Sequence, residues 1–183
     1  MKITEIKCWA LSEELGGSWR ISGQVWNRIN TVIVRIRTDD GQEGVGETNL
    51  RTAPRAGLAI IRDHLSQHVL GADPRDIEGI WWSMFQRGRP RGHTRGFYLK
   101  AMSGIDMALW DMAARRANEP LWRALNGVGK PKLPVYASAV RVFDTVEEAV
   151  EKGQSFVDSG HRTVKVMVAG REQSYDIAVL KGL

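Results

Sequence analysis

The chain has 183 residues, 43% apolar and 26% charged, which is the composition of a globular domain or of one domain and part of another. Its net charge of +5 is too mild to mark a nucleic-acid binder by itself, and no apolar run is long enough to span a bilayer. The start, Met1-Lys-Ile-Thr-Glu, lacks the apolar centre of a signal peptide, and the single cysteine, Cys8, excludes an internal disulfide, so a cytoplasmic protein is expected.

Residues 2–11 interleave apolar side chains with Lys and Glu and predict a strand, with Cys8 as a small buried hydrophobe. Residues 12–29 lose periodicity, contain glycines and carry Trp19 and Trp26, which reads as a long loop, functional or disordered. Residues 31–38 alternate cleanly, with Val32, Val34 and Ile36 on one face and Arg35 and Arg37 on the other. Asp40-Gly41 signals a tight turn and residues 43–47 a return strand, giving a three-stranded antiparallel sheet. Gly44-x-Gly46 has no phosphate-binding pattern after it, so a nucleotide site is rejected.

A second irregular stretch, residues 48–53, precedes a helix expected from Pro54 with Thr52 as its cap and Leu58, Ile61, Leu65 and Val69 on its buried face. His64 and His68 stand one helical turn apart, but no third metal ligand is evident nearby, so they read as surface histidines. Asp73-Pro74 is expected to open another helix, with Ile77, Ile80, Trp81, Met84 and Phe85 inward. Residues 87–95 include Arg87-Gly-Arg-Pro-Arg91, which in isolation resembles an AT-hook, whose arginines enter a narrow minor groove. A single copy between two packed helices reads instead as a solvated basic loop.

Residues 101–127 carry the strongest pattern. Met102, Ile105, Leu109 and Met112 line one helical face, and Ala108, Ala113 and Ala114 allow close packing. Pro120 opens a short second helix with Leu121, Trp122 and Leu125 on its apolar side and Gly127 placed to end it. Ser103-Gly-Ile-Asp-Met-Ala-Leu-Trp-Asp111 followed by Pro120-Leu-Trp-Arg-Ala-Leu-Asn-Gly127 resembles the mandelate racemase/muconate lactonizing enzyme branch of the enolase superfamily. In that family the segment joins an N-terminal capping domain to a (β/α) barrel.

Beyond a linker-like stretch at 129–132, the pattern becomes strand, helix, strand, helix: a strand at 133–140, a capping box at Thr145-Val-Glu-Glu148 opening a helix, a strand at 162–168 and a helix from 173. That order implies parallel strands buried on both faces. Val164, Val166 and Val168 are expected under the helices, and Thr163, Lys165 and Met167 on the opposite face.

The resemblance implies an α+β capping domain over residues 1–130 and an incomplete (β/α) barrel of about two βα units over 131–183. It implies proton abstraction next to the carboxylate of a sugar acid or other 2-hydroxy acid, with Mg²⁺ as the family's cofactor and an isomerase or hydro-lyase outcome. Lys165 matches the first lysine of the family's second-strand motif and is the candidate catalytic residue. Met167 stands at the second position, often the base, and cannot take a proton. Trp19, Arg20 and Arg51 fall in the stretches that select substrate in the family, and Ser138 falls at the end of the first barrel strand. The strands that carry the metal ligands in the family are missing from this sequence, so no metal is expected to bind this chain alone, and whether the chain is itself an enzyme stays open. A small carboxylate substrate and a homo-oligomer or full-length relative are the expected partners, with no membrane partner and nucleic acid disfavoured. The rival readings are a non-catalytic oligomerisation module and a DNA-binding protein using the basic loop at 87–95. Residues 133–183 are expected not to fold stably alone, since two parallel strands leave open edges.

Overall fold

A computed structural model describes residues 1–21, 24–126 and 132–183. They fall into two compact units: residues 1–13 with 30–129, and residues 14–29 with 130–183. The expected helix stop at Gly127, the linker at 129–132 except Lys132, and the boundary at 130/131 lie outside the described residues.

The first unit is built on a three-stranded sheet of β1 (Ile3–Ile21), β2 (Gln24–Thr38) and β3 (Glu43–Thr48), in that spatial order. The turn between β2 and β3 is closed at Gly41, whose φ of 82° suits glycine. In the antiparallel β2–β3 register Val34 faces Gly46 and Ile36 faces Gly44. Val32, Val34 and Ile36 are fully buried, as the alternation predicts, and Cys8 is buried with them.

Helix α1 (Pro54–Ala59) runs on through a π-helical turn (Ile60–Leu65) and a 3₁₀ turn (Ser66–His68). Its N-cap is Ala53, with no capping side-chain bond, so Thr52 does not hold the expected role. The next helix, α2 (Ile77–Gly88), starts after Asp73-Pro74 rather than at it, because Asp76 supplies the cap: its carboxylate accepts from the Gly79 amide at 3.0 Å. Helix α3 (Phe97–Ala117) buries Met102, Ile105, Ala108, Leu109 and Met112 against the sheet. It ends on left-handed Asn118, before α4 (Leu121–Asn126). Leu121, Trp122 and Leu125, the apolar side of α4, are each at least two-fifths exposed.

The second unit contains β4 (Ala137–Val140), α5 (Val146–Asp158), β5 (Val164–Val166) and α6 (Gln173–Gly182), with β4 and β5 parallel. Its core is small: Val140, Ala149 and Val179, with Val164, Val166 and Tyr175 packed alongside. Both strands are shorter than the expected runs 133–140 and 162–168, and Leu133, Val135, Tyr136 and Val168 outside them are exposed. Only one face of this pair is covered by helices, so burial on both faces is not what the structure shows.

The largest departure concerns residues 12–29. Residues 12–21 and 24–29 are strand, not loop: β1 and β2 continue as an arm, with Arg28 paired to Glu14 at 2.7 Å and the Ser12 hydroxyl donating to Asn30 at 2.7 Å. Almost every residue of that arm is exposed, so neither face imposes the alternation by which a strand is recognised.

Candidate functional site

The second unit gathers four of the five sequence-predicted site residues. Ser138 and Lys165 are register partners across β4 and β5. Both are exposed, on the face opposite Val164 and Val166, which pack against the core beneath the helices. The period-two alternation of a strand accounts for this division. The Lys165 ammonium lies 5.9 Å from the Tyr136 ring centroid, a cation–π distance that leaves its charge accessible.

The strand ends are conformationally unusual. A register irregularity falls between Ser138 and Val140, and Ala139 there has φ of 111°. Ala169, just beyond β5, has φ of 62°, and its amide donates to Asp176 at 2.8 Å. Positive φ at a residue with a Cβ costs of order 1–3 kcal/mol and concentrates at functional sites. A bulge of this kind re-aims the neighbouring side chain, here Ser138.

Trp19 and Arg20 come from β1. The Arg20 carbonyl accepts from the Val142 amide at 3.3 Å, joining the arm to the segment after β4. The Arg20 guanidinium lies 3.5 Å from Asp144, whose same oxygen accepts from Arg171 at 2.7 Å. Arg141 stacks over the rings of Trp19 at 5.3 Å and Phe143 at 4.8 Å. Sequence reasoning missed Arg141; its place immediately after an apolar strand was the available signal. Arg20, Arg141, Asp144 and Lys152 line a cavity of ≈ 520 Å³. Its mixture of three cations with Asp144, Glu148 and Glu151 suits a polar, hydroxyl-bearing ligand better than an apolar one.

Below this cavity the capping box is formed as predicted. The Glu148 amide donates to the Thr145 hydroxyl at 3.2 Å, and the Thr145 amide donates to the Glu148 carboxylate at 3.3 Å. The Tyr175 hydroxyl lies 3.2 Å from the carbonyls of Phe143 and Thr145, and burial pushes its pKa up. These contacts fix the segment 143–148 and, with it, the cavity wall.

Arg51, the fifth residue, belongs to the first unit, where its carbonyl accepts from the Asn30 side chain at 2.7 Å. The first unit also explains the signature sequence in α3. Asp111 accepts from the Val45 amide and from Arg115, both at 2.9 Å, and so ties β3 to α3. A Cβ on Gly44 or Gly46 would collide with the backbone of Ala108 or Gly104, so the Gly-x-Gly pattern serves helix–strand packing.

A model of the mandelate racemase/muconate lactonizing enzyme N-terminal domain matches residues 14–126. The chain belongs to this family. Among curated relatives it is 34% identical over 147 residues to a 3,6-anhydro-alpha-L-galactonate cycloisomerase of Streptomyces coelicolor, covering 80% of this chain and 40% of that protein. To a D-mannonate dehydratase of Novosphingobium aromaticivorans it is 30% identical over 151 residues, covering 81% and 36%. The chain therefore spans well under half the length of these relatives. Among solved structures, a racemase from Streptomyces coelicolor A3(2) with bound magnesium superposes with a TM-score of 0.90 at 28% identity, covering 98% of this chain and 50% of that one. An L-talarate/galactarate dehydratase mutant liganded with Mg and L-glucarate gives 0.86 at 25%, covering 99% and 48%.

Mg²⁺ is thus a ligand in members of the family. Among the described residues no three His, Cys, Asp or Glu side chains are grouped to hold a metal ion. The side chains gathered at β4 and β5 do not fit a magnesium site. Among the described residues no helix is long and apolar enough to cross a membrane.

Proposed function

We propose that this chain forms the cap and the opening βα units of the barrel in an enolase-superfamily dehydratase or racemase acting on a sugar acid or related 2-hydroxy acid. The observation that carries the reading is the pairing of Lys165 with Ser138 on the exposed face of β4 and β5. In a barrel that face points inward, and the C-terminal strand ends bear the chemistry. An inward lysine there can serve proton transfer next to a carboxylate once the site is closed. Met167 cannot take a proton, so a second base would come from elsewhere.

In this reading Trp19, Arg20 and Arg51 contact the substrate from the cap. Arg20 and Arg51 offer planar forked donors matched to carboxylate and hydroxyl oxygens. Magnesium ligands would come from strands other than β4 and β5, so the 183 residues by themselves are expected to turn over nothing. The open edge of β5 and the exposed Leu133, Val135 and Leu180 are the surfaces that further strands and helices would cover.

The test is a panel of aldonic and aldaric acids offered, with Mg²⁺, to the native polypeptide that carries these residues. We expect dehydration or epimerisation of at least one. Arg51→Ala should raise KM with kcat little changed, as loss of uniform binding does. No conversion anywhere in the panel, or an Arg51→Ala enzyme indistinguishable from wild type on its best substrate, would contradict the proposal.

A further inference from the structure

In the first unit, a cleft of ≈ 790 Å³ lies between the turns that follow α1 and the connection from α2 to α3. Arg87, Arg91, Arg95, His64, His68 and His93 line it, and among the described residues no Asp or Glu does. Among the described residues none of these three arginines forms an ion pair. Elsewhere in the same unit arginines do find carboxylates, as Arg35 does with Glu5 and Arg115 with Asp111. Three uncompensated guanidinium groups around one concave surface make a positive potential that favours a bound anion.

The cleft is built, not loose. The Tyr98 hydroxyl donates to the Met84 carbonyl at 2.8 Å and fixes the ring. His93 stacks on that ring at 5.4 Å, and His64 lies tilted against it at 5.5 Å. The connection folds as a 3₁₀ turn over Arg89–Arg91, closed by the Gly92 amide on the Arg89 carbonyl at 3.0 Å and the His93 amide on the Gly88 carbonyl at 3.1 Å. Ordering the arginine-bearing backbone therefore adds little to the cost of binding. Nε2 of His64 is buried without a hydrogen-bond partner, a deficit that a ligand oxygen would meet. Burial, with Arg87 and His64 adding to it, holds His68 below the usual imidazole range.

We infer that this cleft binds a small multivalent oxyanion, a phosphate ester or a polycarboxylate, through guanidinium forks of Arg87, Arg91 and Arg95, which line it together with the histidines. A metal cation does not fit, because the lining offers three fixed positive charges and no carboxylate. The folded turn at Arg89–Arg91 also differs from a basic segment lying along a DNA groove, so the AT-hook-like motif in the sequence serves a compact site instead. The inference does not depend on the reading of β4 and β5, which belong to the other unit.

Isothermal titration with pyrophosphate and with citrate, at about 0.15 M salt to screen diffuse attraction, tests it. Saturable one-to-one binding is expected with at least one probe, and the stronger of the two tells phosphate from carboxylate. Arg91→Ala and Arg95→Ala, both at exposed positions, should each weaken it about tenfold, while Lys181→Ala leaves it unchanged. The ring resonances of His64, His68 and His93 should move during the titration. Absence of saturable binding to either probe, or binding that survives the combined Arg91→Ala and Arg95→Ala change, would overturn the inference. So would an A·T-rich duplex that displaces pyrophosphate.

Discussion

Asp106 and Asp111 sit one turn and a half apart on α3 and answer to different forces. Asp111 spends both its contacts on structure, accepting from Val45 and Arg115. Asp106 is held above the ordinary carboxyl range by burial. The folded state then keeps that proton to higher pH than the unfolded chain. Between the two pKa values the folded state binds more protons, so stability falls as pH rises through that window and the deficit is complete above it. Asp106→Asn removes the ionisation. We expect its urea midpoint at pH 7 to equal or exceed that of the wild type, with the advantage vanishing near about pH 4; a lower midpoint at pH 7 would mean the carboxylate has a partner. Gly46 makes the complementary case for steric control. Gly46→Ala drives a methyl into the Gly104 carbonyl, and denaturant unfolding should show a loss of about 3 kcal/mol.

At the scale of elements, legibility tracked burial. The face Val32, Val34, Ile36 and the stripe Met102, Ile105, Leu109, Met112 were readable because each packs one side into the core. The arm of β1 and β2 was not, because its residues lie exposed and its pairing is satisfied by the backbone of the two strands. Trp19 and Arg20 were nevertheless singled out, by residue type and place. Arg141 was overlooked because only the fold brings it over Trp19. The helix starts at Pro54 and Ile77 show the same limit: caps depend on which backbone turns first, and neighbouring candidates such as Thr52 and Asp73 compete. Where the signature was local and complete, as at Thr145 and Glu148, it held. Thr145→Ala should cost about 1 kcal/mol, seen as faster amide exchange in α5, with the exchange of β2 and α3 unchanged.

At the scale of the whole molecule, the two units differ in self-sufficiency. The first has a core of fully buried side chains drawn from every one of its long elements. The second has a small core around Val140, Ala149 and Val179 and leaves the Ser138–Lys165 face uncovered. The family match covers residues 14–126, and the chain spans 36% and 40% of the length of the two curated relatives compared. In the function proposed above, the uncovered face belongs to a site for proton transfer next to a carboxylate. The measurement that tests it most directly is deuterium wash-in at the carbon next to the carboxylate. The native polypeptide carrying these residues would be assayed in D₂O with the best acid sugar of the panel, as wild type and as Lys165→Ala. The account predicts exchange or turnover that falls about a hundredfold or more in Lys165→Ala, the scale of a lost acid–base group, with the fold intact by circular dichroism. Undiminished exchange in Lys165→Ala would contradict it.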